Sequence, residues 1–286
     1  MKLLRSCLLA ISLVMVSALG WAQIPPPATL AGIAHVAIRV SDLARSRDFY
    51  HKLGFEQAFA ITKDGVTTEA FLKVNDRQFI EMYPPQSGKD LGFMHLCFES
   101  TDLEALNKAY LARGLKPTPV KKAGAGNLLF TMVGPEEQNI EYTQYMPGSL
   151  HSKDKGLHLG ADRISSEIWG VGLRMEDPVV ARSFYEQMLG FHEAPKPLEP
   201  GLIPLLLPGN SGEVVLITPN PDEILFSVDS LRHTESQLTA LHITFQKQSS
   251  TLTARDPDGV RLVFASSKPE SFLHLPQVHI PWLKKP

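Results

Sequence analysis

The hydrophobic pattern of this chain repeats. Over 32–40 apolar and β-branched residues read as a strand. Ser41 or Asp42 then offers a helix cap. Leu43, Phe49, Tyr50 and Leu53 space an apolar stripe at helical intervals, and Gly54 suits the position just past the helix end. Three further strands are predicted over 56–62, 67–74 and 77–83, with turns at Asp64-Gly65 and Asn75-Asp76. This is one βαβββ unit. The same order follows at once: a strand over 93–99, a helix over 102–113 carrying Leu103, Leu106, Tyr110 and Leu111, and strands over 116–122, 127–133 and 139–145.

The pattern then breaks and resumes. Residues 147–165 are polar, Gly-bearing and aperiodic, and are expected to be a linker in which His151 and His158 are solvated. A third copy begins near Ile168. The helix segment Ala44-Arg45-Ser46-Arg47-Asp48-Phe49-Tyr50 reappears as Ala181-Arg182-Ser183-Phe184-Tyr185, and Leu53-Gly54-Phe55 reappears as Leu189-Gly190-Phe191. Strands over 202–207 and 213–218 complete it. In the fourth copy a strand over 241–246 leads directly to strands over 250–255 and 260–265, leaving no room for a helix. A βαβββ unit leaves a sheet face that needs cover, and pairing supplies it. The expected fold is therefore α+β: four tandem βαβββ units, the fourth lacking its helix, paired into domains over 32–146 and 166–267, with a Pro-bearing tail over 268–286.

Four residues fall on the repeat in a way that suggests chemistry. His35 and Glu81 are 46 positions apart, as are His95 and Glu141, and the second pair follows the first by 60 positions. All four lie in predicted strands. Two imidazoles and two carboxylates suit a divalent cation (Zn, Ni, Mn, Fe or Co) in a site with open positions. Phe79, Glu81 and Tyr83 share a strand face, as do Asn139, Glu141 and Thr143. Arg39, on the His35 face, is expected in a structural ion pair. Tyr83, Tyr145 and Met132 are candidates either for the site or for the core.

Composition narrows the setting. A net charge of −2 and the absence of a basic cluster interleaved with aromatics give no sign of a nucleic-acid partner. Met1–Arg5 is a positive n-region, Cys7–Leu19 an apolar h-region too short for a comfortable membrane span, and Gly20-Trp21-Ala22 fits cleavage before Gln23. A cleaved signal over 1–22 implies a periplasmic or secreted product with no membrane span. It removes Cys7, so Cys97 has no partner for an intramolecular disulfide and is expected to be a small buried hydrophobe.

These residues resemble the vicinal oxygen chelate superfamily, which contains glyoxalase I, bleomycin- and fosfomycin-resistance proteins, methylmalonyl-CoA epimerases and extradiol dioxygenases. The carriers are H-V-A-I-R-V-S-D at His35–Asp42, R-D-F-Y-H-K-L-G-F at Arg47–Phe55, Ile80-Glu81, H-L-C-F at His95–Phe98 and I-E-Y at Ile140–Tyr142. The resemblance implies that two βαβββ units form a U-shaped mixed sheet cupping a metal held by His35, Glu81, His95 and Glu141, a glyoxalase-type quartet. Glu141 or Glu81 would be the catalytic base. In the second half the matching positions read Gly170, Leu216, His242 and Val263, so a metal is expected only in the first. His242 is expected to be a structural or pocket histidine.

Three functions follow from the resemblance. One is an exported lyase or isomerase acting on a small substrate with vicinal oxygens. Another is a non-haem Fe(II) dioxygenase with His35, His95 and Glu141 as its facial triad, although two-domain extradiol enzymes keep their metal in the C-terminal half. The third is a non-catalytic small-molecule binding or resistance protein. Because the first two units can pair within one chain, either a monomer or a homodimer could complete the site.

Overall fold

A computed structural model describes residues 30–194, 201–209 and 211–266. The expected signal over 1–22 and the tail over 268–286 lie outside the described residues. The first unit is β1 (Gly32–Arg39), α1 (Leu43–Lys52), β2 (Gln57–Lys63), β3 (Val66–Lys73) and β4 (Phe79–Tyr83). The second is β5 (Gly92–Glu99), α2 (Leu103–Ala112), β6 (Lys121–Lys122), β7 (Leu128–Val133) and β8 (Asn139–Gln144). The Asp42 carboxylate caps α1 by accepting the Ala44 and Arg45 amides, and Asp102 caps α2 through the Ala105 amide.

The strand order β2-β3-β4-β1-β5-β8-β7-β6 makes one mixed sheet. β1 and β5 pair antiparallel at its centre, and β4 and β8 add in parallel on either side. The sheet curls until its edges meet. A side chain on Gly124, past β6, would lie 3.1 Å from Ile61 of β2. Alternation then sends His35, Ala37 and Arg39 into the concavity, and Val36, Ile38 and Val40 into a fully buried core under the helices.

The second half repeats this order with β9 (Glu167–Arg174), α4 (Pro178–Ser183), β10 (His192–Glu193), β11 (Ile203–Leu206), β12 (Val214–Thr218), β13 (Glu223–Val228), α5 (Leu231–Ala240), β14 (Phe245–Lys247), β15 (Thr251–Arg255) and β16 (Arg261–Ser266). The two sheets share one core across their helix-bearing sides, where Phe55 stacks on Phe226 and Phe98 meets Phe191 edge-on. Polar side chains lock the junction. The buried Gln78 amide donates to Ile168 O at 2.7 Å and accepts the Ile168 amide at 2.8 Å, while Tyr50 donates to Asp256.

Two expectations need correction. The fourth unit does have its helix, α5, because the strand that begins it is β13 and not 241–246. Leu241 caps α5, and His242 sits in the following turn at φ 55°. The stretch 147–165 is not wholly irregular, since Ser149 caps a helical turn, α3 (Leu150–Lys153). The third unit also carries one more residue between its helical Tyr and the closing Gly: Tyr50 precedes Gly54 by four positions, Tyr185 precedes Gly190 by five. The structure absorbs the insertion as a π-helical stretch over Phe184–Leu189 continuing α4.

Candidate metal centre

The quartet converges in the first concavity. His35 Nε2 lies 3.0 Å from Glu81 Oε2, 3.2 Å from His95 Nε2 and 3.5 Å from Glu141 Oε1, and His95 Nε2 lies 3.6 Å from Glu81 Oε2. Donors about 2.1 Å from a shared cation would stand roughly 3.0–3.4 Å apart, so the spacing fits a Zn-like ion. His35, Glu81 and His95 form one group that could hold a metal. Glu141 joins His35 and Cys97 in a second such group. The register explains the convergence. Phe79, Ala37 and Cys97 stand opposite His35, Glu81, His95 and Glu141 across neighbouring strands, so all four side chains emerge on one face of four adjacent strands.

Electrostatics match the geometry. Burial disfavours the His35 imidazolium, but the Glu81 and Glu141 carboxylates outweigh it and raise the pKa. Burial likewise works against the Glu81 carboxylate, yet His35 and His95 hold it well below the usual carboxylate range. A buried pocket that stabilises both a cation and carboxylates in this way suits an M²⁺ ion. Tyr83 donates to Glu81 Oε1 at 2.9 Å, which orients Oε2 toward the two imidazoles.

Other side chains complete a cavity of about 270 Å³ that opens over His35, Glu81 and Glu141. Glu69 lines it from β3. Burial and the neighbouring Glu81 and Glu141 push its carboxyl up to about 7. Alternation could have found Glu69, because it shares a strand face with Phe71, which pairs with Glu81. Cys97 is fully buried as expected, but its thiol also touches Glu141 Oε1 at 3.6 Å, and burial followed by Glu141 raises its pKa. His151, expected in solvent, is 6% exposed and lines the same cavity. Nothing in its own segment signals this, since the burial comes from packing against Phe59, Phe71, Phe79 and Tyr145. His158 does sit near the surface, paired with Asp154. Arg39 donates to Pro84 O at 3.1 Å and lies over the Tyr83 ring; among the described residues no carboxylate pairs with it. Met132 belongs to the core.

Residues 32–141 match the profile of the Glyoxalase/Bleomycin resistance protein/Dioxygenase superfamily. Solved structures with the same two-sheet architecture include BphC, a halotolerant catechol dioxygenase (15% identity, TM-score 0.63, covering 84% of this chain and 87% of that one). A catechol 2,3-dioxygenase matches at 14% identity and TM-score 0.65, over 84% and 89% of the two chains. An extradiol ring-cleaving dioxygenase from B. fuscum matches at 16% and 0.65, over 85% and 74%. Residues 32–141 thus carry this superfamily's profile, and the chain shares the fold of these dioxygenases. No curated protein sequence matches it.

Within this superfamily fold the second sheet presents a different concavity. In register with His35, Glu81, His95 and Glu141 stand Gly170, Leu216, Glu223 and Val263. Glu223, not His242, therefore holds the fourth unit's equivalent of His95, and its carboxylate pairs with Arg261 at 3.0 Å. A side chain at Gly170 would lie 2.6 Å from Val214 Cγ2, so no imidazole fits there. Trp169, Leu216, Leu225, Val263 and Ala265 make that surface apolar.

Proposed function

We propose that the first concavity holds a divalent cation on His35, Glu81, His95 and Glu141 and acts as a lyase or isomerase on a small substrate with vicinal oxygens. The observation that carries this reading is the meeting of His35, Glu81 and His95 at 3.0–3.6 Å, with Glu141 placed 3.5 Å from His35. A cation bound there would supply Lewis acidity to two substrate oxygens.

The chain's own groups divide the remaining work. Glu81 has both oxygens committed, one to Tyr83 and one to the imidazoles. Among the described residues Glu141 meets only His35 and the Cys97 thiol, and its side chain is 14% exposed. Glu141 is therefore the carboxylate that moves more cheaply and is assigned as the base that takes a proton from the substrate, with Glu81 as the fixed ligand. Glu69, poised near neutrality at the same cavity, can hold or return a proton. The Met1–Ala22 sequence supports action outside the cytoplasm.

The test is a proton-exchange and isomerase screen on the metal-loaded protein, with Glu141→Gln and Glu81→Gln beside it. Glu141→Gln should retain metal and lose turnover, whereas Glu81→Gln should lose both. A second reading is favoured by the likeness to solved catechol and extradiol dioxygenases: Fe(II) on His35, His95 and Glu141 with catechol ring opening. Oxygen uptake and a coloured product with catechol under Fe(II), without proton exchange, would select it.

A further inference from the structure

His151 reaches the candidate site from outside the two βαβββ units. Two contacts fasten its helical turn to the first sheet. The Leu150 amide donates to Ala125 O at 2.8 Å, and the buried Lys73 ammonium binds the Asp154 carboxylate at 2.7 Å. The imidazole then stands among four aromatic rings, edge-on to Phe59, Phe71 and Phe79 and stacked on Tyr145.

One amide fixes how this ring carries its proton. The Met146 N–H, which can only donate, points at Asn127 Oδ1 at 3.1 Å. That leaves the Asn127 NH₂ group facing His151 Nδ1 at 2.8 Å. Nδ1 must therefore accept, so the hydrogen of the neutral ring lies on Nε2. Burial, with His35 nearby, pulls this imidazole's pKa down to about 3, which keeps the ring neutral. The Nε2–H is buried and has no hydrogen-bond partner among the described residues. It belongs to a ring that lines the cavity shared with His35, Glu69, Glu81 and Glu141. A buried donor left unmatched in this way is unusual and calls for a partner that the protein does not itself supply.

We propose that His151 is a substrate-binding residue whose Nε2–H donates to an oxygen of the molecule held in the first concavity. The inference rests on the vicinal-oxygen reading of that site. It adds a neutral donor set in an aromatic wall, suited to a planar, oxygen-bearing substrate.

The test uses the full chain loaded with zinc and 4-nitrocatechol as probe, titrated by absorbance, together with ¹⁵N-histidine NMR of the unliganded protein. The NMR spectrum should show His151 as the Nε2–H tautomer, assigned by its loss in His151→Phe or in His151→Gln. That variant should keep its zinc content and bind the probe about tenfold more weakly or worse. His151→Gln, which retains a donor, should recover part of the affinity. An Nδ1–H tautomer in the wild type overturns the proposal even if His151→Phe fails to fold. So does unchanged affinity in a folded His151→Phe with zinc bound. If the zinc-loaded wild type itself does not bind the probe, the vicinal-oxygen reading falls and takes this inference with it, an outcome distinct from a defect in the variant alone.

Discussion

Lys73 gives the sharpest quantitative prediction. Its ammonium is fully buried and touches Asp154 O at 2.5 Å, Asp154 Oδ2 at 2.7 Å and Asp76 Oδ1 at 2.8 Å. Asp154 is itself buried and closes the helical turn that carries His151, so this cluster ties the segment between the halves to β3. Lys73→Met keeps the aliphatic stem and removes the charge, leaving a buried carboxylate short of its main partner. Breaking a buried pair from one side costs about 3–5 kcal/mol. His158 still meets Asp154 Oδ1, so the lower end, about 3 kcal/mol, is expected. Urea unfolding of the wild type, Lys73→Met, and Lys73→Met with Asp154→Leu would measure it. The double variant should be more stable than the single one, because it removes the stranded charge. A loss below about 1 kcal/mol would place the cluster with ordinary surface pairs and refute the claim that it clamps His151.

Other predictions follow from the same contacts. In metal-stripped protein, the raised His35 pKa contributes stability below its ordinary value of 6.5 that is lost as pH rises through the folded value. The depressed Glu81 pKa contributes stability above its ordinary 4.5 that is lost as pH falls. The stripped protein should therefore melt lower at pH 8 than at pH 5.5, and zinc should erase that difference; a higher melting point at pH 8 without metal would contradict the pairing. Gln78→Leu strands both the amide and the carbonyl of Ile168 at the junction of the sheets. Each orphaned group costs about 1–3 kcal/mol, so denaturant unfolding should show a loss of that order or more. Tyr83→Phe removes the hydrogen bond to Glu81 and should weaken zinc affinity by about 10–100-fold in a competition titration.

The first half of the molecule was legible because its pattern is regular. His35, Glu81, His95 and Glu141 repeat at fixed spacing, and strand alternation then forces them onto one face. The fourth unit was harder for two physical reasons. β13 is buried on nearly every side chain, so it lacks the alternation that marks a half-exposed strand. Helix α5 buries only Thr234 and Leu238, too thin a stripe to announce itself. The segment Leu241–Gln246 alternates more cleanly than the true strand and so drew the assignment. His151 and Lys73 lay beyond such reasoning altogether. Their burial depends on where a polar connecting segment packs, and local pattern carries no record of that. Glu69 and Tyr83 fall between these cases, visible as residues on the right face but given their roles only by neighbours from other strands.

The central claim is that four side chains of the first sheet hold one metal ion. The direct measurement is zinc binding to the stripped full chain, by calorimetry with elemental analysis, for the wild type and for His35→Ala, Glu81→Ala, His95→Ala and His242→Ala. One ion per chain should bind to the wild type and to His242→Ala, and stoichiometric binding should be lost in the other three. Absence of binding in the wild type, or binding unaffected by His35→Ala and His95→Ala, would contradict the account.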